Sequence, residues 1–186
     1  MTKVLFLIPN LAHGGAEKVL VNLANNMDKT KFDVTVQTLF DVGVNRQYLN
    51  SDVKYIGGFK RMPRGNTYVM KLFSPEKLYK HFIRDNYDII VSYLEGPTAR
   101  IVSGCTNPNT KLVSWIHSKM DNPAIGAVGF RNFEEAKKCY KNLIILFVFQ
   151  NGLWIIFQRH LNFKNLFRCF IIRLKQTKYL KNPLNL

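Results

Sequence analysis

The sequence predicts an α/β fold, a Rossmann-like parallel sheet with flanking helices. Three short apolar runs, KVLFLIP, YDIIVSY and KLVSWIH, have the composition of strands that are buried on both faces. Segments with a helical spacing of apolar residues alternate with the predicted strands along the chain. This alternation is typical of a parallel sheet whose crossover helices cover its two faces.

Three strands and one helix are predicted in the first 56 residues. The first strand covers residues 3–9, the second covers 32–39, and the third covers 52–56. A helix follows the turn at residues 10–15 and ends near Asp28, because apolar residues recur there at steps of three and four. The members of this expected apolar face are Ala16, Val19, Leu20, Leu23, Ala24 and Met27.

A second helix is predicted to follow Ser74 and to run to about residue 85. Ser74 suits the N-cap, Pro75 suits the first turn, and the charge of Glu76 suits the positive end of the helix dipole. Next come a buried strand at 87–93, a short helix at 97–103 and a strand at 111–117. Ligands of such sheets bind at the carboxyl ends of the strands.

Gly14 and Gly15 lie between the first strand and the first helix. Without Cβ atoms, their backbone N–H groups can approach a phosphate closely at the positive end of the helix dipole. The alternative is a tight turn that needs glycine for its dihedral angles. The sequence contains neither GxGxxG nor GxxxxGK[ST], which argues against NAD and ATP as ligands.

His117 ends the predicted strand 111–117 at the same edge of the sheet. Its imidazole can hydrogen-bond a sugar hydroxyl or stabilise charge in a transition state, and the alternative is a histidine that only completes the strand end. Glu95 lies at a similar edge, where a solvated loop acid is the simpler interpretation. His13, His81 and His160 lack the spacing of metal ligands, so no metal site is expected.

The segments LFLIPNLAHGGAEKVLVNLAN, YDIIVSYLEGP and KLVSWIHSKMD resemble the N-terminal domain of the family 4 glycosyltransferases, retaining enzymes of the GT-B fold that assemble bacterial surface glycans. The resemblance covers roughly residues 2–140. It implies that Gly14 and Gly15 bind the diphosphate of a nucleotide-sugar donor and that His117 is a catalytic residue. It further implies a lipid-linked glycan acceptor, no cofactor, and a cytoplasmic location at the inner face of the plasma membrane.

The segment GFKRMPRGNTYVMKLF, residues 58–73, mixes basic residues with aromatic residues and methionines. Lys60, Arg61 and Arg64 are its candidate ligands for an anionic membrane surface or a lipid diphosphate. The alternative is a solvated loop that packs on its own aromatic side chains.

The composition changes near residue 137. All 12 acidic residues lie between Glu17 and Glu135, whereas residues 137–186 contain ten of the 27 basic residues. The apolar stretch LIILFVFQNGLWIIF, residues 143–157, is too short and too polar at its centre for a membrane span, which needs about 20 apolar residues. Apolar residues also occupy every face of a helix drawn through it.

A shifted reading frame accounts for this composition. From Lys141 onward, a shifted frame takes the third base of each observed codon and the first two bases of the next codon. With permitted synonymous codons, its translation contains VCVSEWV and VLYNTVE. Both motifs stand where the glycosyltransferases have similar ones. We therefore predict an acceptor-side GT-B domain at residues 1–141 and an out-of-frame tail at 142–186, without the second domain of a GT-B enzyme.

The predicted function follows from these observations. We expect a glycosyltransferase of the hexosyltransferase type, acting from a nucleotide sugar onto a lipid-linked glycan acceptor in capsular polysaccharide synthesis, with this chain as an inactive truncated form. The alternative is a non-enzymatic basic protein that binds a membrane or a polyanion through residues 58–73 and the tail. Nucleic acid is not an expected partner, because two thirds of the net charge of +15 comes from residues 137–186 and the rest of the chain has no nucleic-acid-binding motif.

Overall fold

The computed structural model describes residues 1–117, 123–149 and 152–156. The strands within these residues are β1 (Thr2–Ile8), β2 (Phe32–Thr38), β3 (Lys54–Ile56), β4 (Ile89–Ser92), β5 (Lys111–Ile116), β6 (Ile144–Phe149) and β7 (Gly152–Ile156). They form one sheet in the order β3-β2-β1-β4-β5-β6-β7. The loops at the carboxyl ends of β1, β4 and β5 are therefore neighbours in space.

The predicted α/β fold class is confirmed. Strands β1 to β5 are all parallel, and β1 lies at the centre with Val4 paired to Val34 on one side and to Ile89 on the other. β6 continues the sheet in parallel with β5, and β7 returns antiparallel to β6. Each of the five predicted strands is present, with ends that differ from the expected ones by at most two residues.

Helices cover both faces of the sheet. They are α1 (Gly15–Asn26), α2 (Asn66–Lys71), α3 (Pro75–Phe82), α4 (Pro97–Val102), α5 (Pro123–Gly126) and α6 (Phe133–Lys141), together with a 3-10 helix at Val44–Tyr48. Ser74 caps α3 as expected, since its Oγ accepts a hydrogen bond from the backbone N–H of Lys77 at 3.3 Å. The helices α2, α5 and α6 and the 3-10 helix were not predicted from the sequence.

Two hydrophobic clusters lie on opposite faces of the sheet. α1 covers one face with Leu20, Val21 and Ala24, and α3, α4 and α6 cover the other. The expected apolar face of α1 was wrong at Val19, which is 53% exposed. Successive residues of a helix are 100° apart, so Val19 lies almost opposite the side that contacts the sheet.

The predicted tail falls mostly outside the described residues. Within 142–186, the described part consists of residues 142–149 and 152–156, where β6 and β7 form a hairpin at the edge of the sheet. Leu143 is buried in the core below α6. No helix among the described residues combines the length and the apolar character that crossing a bilayer requires.

Candidate functional site

The loop between β1 and α1 is held in place by the segment that follows β2. The backbone N–H of Leu11 donates to Val42 at 3.1 Å, and the side-chain amide of the buried Asn45 donates to the carbonyl of Ala12. Gly43 has a φ of +115°, and a Cβ there would lie 2.1 Å from the backbone of Leu11. Gly43 and Asn45 were not predicted from the sequence, because their contacts join two segments that follow different strands, β1 and β2.

Gly14 and Gly15 do not need to be glycine for their own conformation. Gly14 has a φ of −69°, and neither residue is among the glycines of positive φ. A Cβ on Gly15 would meet no atom outside its own helix within 4 Å. The atoms nearest to a Cβ on Gly14 would be those of the Glu17 carboxylate, the flexible end of a side chain. The interpretation as a turn that demands glycine dihedrals was therefore wrong.

The start of α1 has the chemistry of an anion site. Gly14 has no side chain that could cap this 12-residue helix, and the first-turn N–H groups of a helix are donors that suit an anion. Glu17 lies in the first turn with its carboxylate folded back beside Gly14. A phosphate at Gly14 and Gly15 requires this carboxylate to turn away.

Glu95 and His117 connect the ends of β4 and β5. Ser92 pairs with Ser114 in these strands, so Glu95 and His117 extend the same register by three residues. The Oε2 atom of Glu95 accepts a hydrogen bond from the backbone N–H of His117 at 3.0 Å. The interpretation of Glu95 as a solvated loop acid was wrong, because the side chain is half-buried against the neighbouring strand end.

The imidazole of His117 lies among aromatic side chains on the face of the sheet that α1 covers. Its ring centroid is 4.8 Å from that of Tyr93 and 6.1 Å from that of Trp115, with which it is nearly parallel. Three polar atoms in this group are buried without a hydrogen-bond partner within the described residues, namely His117 Nε2, the Tyr93 hydroxyl and Trp115 Nε1. Buried polar groups are nearly always paired in proteins, so a water molecule or a polar ligand is needed to pair these atoms.

Burial sets the protonation state of this histidine. It lowers the pKa of His117 below the ordinary value of 6.5, whereas the nearby carboxylates of Glu95 and Glu17 act in the opposite direction. The net shift is downward, so the imidazole is neutral at pH 7 and carries one donor and one acceptor.

The basic segment 58–73 is not a loop throughout, because it contains α2. Phe59 stacks on His81 of α3 at a centroid distance of 6.0 Å. An open groove of about 870 Å³ lies between α2 and α3. Lys60 and Arg61 line it, whereas Arg64 is exposed outside it. Its walls are mainly apolar and include Phe59, Val69, Met70, Phe73, Leu78 and Phe82.

The structure brings most of the predicted residues to one edge of the sheet. The glycine pair follows β1, His117 follows β5, and Phe59 and Lys60 follow β3. The side chain of Asn10 contacts Met62 Sδ at 3.9 Å, which joins the glycine-containing loop to the basic segment. Lys60, Arg61 and Arg64 thus lie on the far side of the glycine pair from His117.

Comparison of the chain with models of protein families gives no match, and comparison with curated protein sequences gives none either. The resemblance to family 4 glycosyltransferases rests on the sequence segments alone and stays a prediction.

Proposed function

We propose that this chain is the acceptor-side half of a retaining glycosyltransferase, which transfers a sugar from a nucleotide sugar to a lipid-linked glycan acceptor in bacterial surface polysaccharide synthesis. The observation that carries the proposal is Gly15. Its dihedral angles and its packing tolerate a side chain, yet the residue opens α1 without one. Close approach of a ligand to the backbone explains this glycine.

The donor diphosphate is the ligand that suits this position. Backbone N–H groups at a helix start bind anionic oxygens, and the helix dipole favours their charge. Glu17 is the competing anion, and its release from the side of Gly14 accompanies donor binding.

His117 is the catalytic residue of the proposal. A neutral imidazole with an unpartnered Nε2 can hydrogen-bond the transferred sugar as charge develops on it. Glu95 holds the backbone of His117 by the 3.0 Å hydrogen bond and is a positioning residue. Neither role calls for a metal ion or a resident cofactor.

The groove between α2 and α3 suits an acceptor with an apolar chain and an anionic group. Its apolar walls match a lipid, and Lys60 and Arg61 match the diphosphate that links lipid to sugar. Such an acceptor lies in the plasma membrane, so the proposed enzyme works in the cytoplasm at the inner face of that membrane.

The residues described form only one wall of the site that transfer requires. Donor, departing sugar and acceptor hydroxyl must be held together in a cleft that excludes water. Glycine N–H groups and one histidine, open to water on their other side, should bind a nucleotide sugar no more tightly than about millimolar, roughly −4 kcal/mol.

The test compares this chain with a frame-restored product. We expect no transfer from UDP- or GDP-sugars by the 186-residue chain, and no calorimetric binding at micromolar concentration. Deleting two bases or adding one near codon 141 of the full gene should restore both. Micromolar donor binding by the chain as it stands would contradict the proposal.

The second candidate is a non-enzymatic basic protein that binds a polyanion. The observation in its favour is that Lys60, Arg61 and Arg64 are exposed and form no ion pair with any carboxylate in the described residues. Salt-dependent retention on heparin that disappears on deletion of residues 142–186 would support it. Retention that survives both this deletion and the change of Lys60, Arg61 and Arg64 to glutamine, or no retention at all, would not.

A further inference from the structure

Little buried surface attaches α2 to the rest of the protein. Of residues 59–73, all of which the structure describes, Met70 alone is buried, at 8% exposed. Its neighbours Tyr68, Val69 and Leu72 are 73%, 58% and 76% exposed. Segments with few buried apolar contacts open at a lower free energy than the core does. Polar contacts must therefore supply much of the attachment of α2.

Two guanidinium groups bind the end of α2. Those of Arg100 and Arg131 donate to four consecutive carbonyls, at distances of 2.6 to 3.2 Å. Glu135 holds both arginines, since its carboxylate lies 2.9 Å from Arg100 and 3.9 Å from Arg131. A helix of six residues is not stable alone in water, so these three side chains form the latch of α2. The four carbonyls belong to Met70, Lys71, Leu72 and Phe73.

The latch can release α2 without leaving a buried charge unpaired. Arg100 is 1% exposed, but its Nε and Nη2 atoms both bond to the Glu135 carboxylate, and this pair does not involve α2. Arg131 is 46% exposed, so water can replace the carbonyls of α2 as its partners. Rupture of a buried ionic network is costly mainly where it leaves a charge without its partner. Opening of α2 gives up only the burial of Met70 and guanidinium bonds to neutral carbonyls.

The two ends of α2 differ in their freedom to move. Gly65 precedes the helix with a φ of +76°, and the atom nearest to a Cβ there would lie in the Tyr68 ring, at 3.9 Å. Ser74 follows the helix and is fixed as the cap of α3. One wall of the groove between α2 and α3 is formed by α2 itself, so rotation of α2 about its ends changes the width of this groove. The residues of α2 that line the groove are Asn66, Val69 and Met70.

We propose that α2 is a lid on this groove and that Arg100, Arg131 and Glu135 hold it shut. The lid opens by local release of α2 while the sheet stays folded. Opening admits an occupant to walls that are mainly apolar, and closing separates that occupant from water. This motion requires neither sugar transfer nor a particular occupant, so a failure of the proposed enzymatic function leaves it intact.

The first experiment is hydrogen–deuterium exchange of the full chain at micromolar concentration, read by mass spectrometry on peptides from α2 and from β1. We expect exchange in α2 to be independent of urea below the unfolding transition, because a local opening exposes little surface. Exchange in β1 requires global unfolding and should accelerate with urea. An α2 peptide that shows the urea dependence of β1 would overturn the proposal.

Two arginine variants distinguish the latch from general stability. Arg131→Met removes the bonds to Lys71 and Leu72 and should accelerate exchange in α2 by at least about tenfold. Arg46→Met is the matched control, because Arg46 is 56% exposed and pairs with Asp41 away from α2. This ion pair persists when α2 opens, so the control should leave exchange in α2 unchanged even if it weakens the whole fold. Equal effects of the two variants on α2 would overturn the proposal, and so would no effect of Arg131→Met.

Alkylation measures the motion of the groove wall directly. The thiol of Met70→Cys should react with iodoacetamide at a rate that low urea does not change and that Arg131→Met increases. Cys139 is the internal control, because it is buried in the same hydrophobic cluster as Met70 but lies on α6. Its alkylation should require global unfolding and should rise with urea. The same urea dependence for both thiols would show that α2 does not open by itself, which overturns the proposal.

Discussion

The carboxylate of Glu95 accepts a hydrogen bond from the backbone N–H of His117 at 3.0 Å and so joins the ends of β4 and β5. The same carboxylate raises the pKa of His117 against the larger effect of burial, which lowers it. Glu95→Gln retains an oxygen acceptor but loses the charge. We expect this variant to lower the pKa of His117 further.

NMR titration of the imidazole in the 186-residue chain measures this pKa, with the signal assigned by its absence in His117→Gln. Glu134→Gln is the control, because Glu134 lies on the exposed side of α6 and is not a cause of the His117 shift. A pKa that rises or does not move in Glu95→Gln would show that the carboxylate does not face the imidazole.

The buried imidazole makes stability depend on pH. Its pKa is lower in the folded chain than the ordinary 6.5, so the unfolded chain binds the proton more readily. The contribution to stability is therefore complete above about pH 6.5 and declines as the pH falls below it. Urea midpoints of the parent should fall more steeply than those of His117→Gln between about pH 7.5 and pH 5.5. An equal pH dependence of the urea midpoints in the two chains would contradict the burial of the His117 imidazole.

Gly15→Val tests the phosphate role in a frame-restored enzyme. The fold should persist, because a Cβ at Gly15 meets no atom outside its helix within 4 Å and valine is no worse than glycine in a helix. Loss of one charge-assisted hydrogen bond, about 1.5–3 kcal/mol, should weaken donor binding by about tenfold to a hundredfold. Asn22→Val, at an exposed position of the same helix, is the control. Equal donor affinity in Gly15→Val would reduce the loop to a simple turn.

Arg100→Met tests the support of α2. The Arg100 side chain is 1% exposed and pairs with Glu135 at 2.9 Å, so its removal leaves a half-buried carboxylate unpaired and should cost about 3–5 kcal/mol in the free energy of unfolding. Urea denaturation measures this cost. Arg131→Met should cost clearly less, because Arg131 is 46% exposed. The double variant Arg100→Met, Glu135→Leu tests the ion pair. If its loss in the free energy of unfolding equals the sum of the losses in the two single variants, the ion pair does not couple these residues.

Two truncated chains distinguish the effect of β6 and β7, at the edge of the sheet, from the effect of residues 157–186, which contain no acid. We expect low solubility of the full chain, since residues 157–186 add seven basic residues, many apolar ones and no acid. Chains that end at Lys141 and at Ile156 should both be more soluble. The longer one should be more stable, because it keeps Leu143 in the core and β6 paired along β5. A monomeric, cooperatively unfolding full chain would contradict the expected effect of the tail.

Local patterns in the sequence were sufficient for most of the fold. A buried strand such as β1 or β4 has an apolar run of its own, and Ser74, Pro75 and Glu76 define the start of α3 within three residues. Such signals depend on neighbouring side chains and backbone sterics, so they survive without knowledge of the remaining chain. The position of the short helix α2 depends on contacts with two distant arginines, so the local sequence did not predict it.

The sequence by itself determined the parallel α/β fold, the positions of Gly14, Gly15 and His117 at strand ends, and the charge of residues 58–73. Only the tertiary structure decided that Glu95 binds His117, that Asn45 anchors the glycine-containing loop, and that Arg100 supports α2. Each of these contacts joins residues 22 to 33 positions apart. Their geometry follows from the order and register of the strands, which no local pattern of apolar residues specifies.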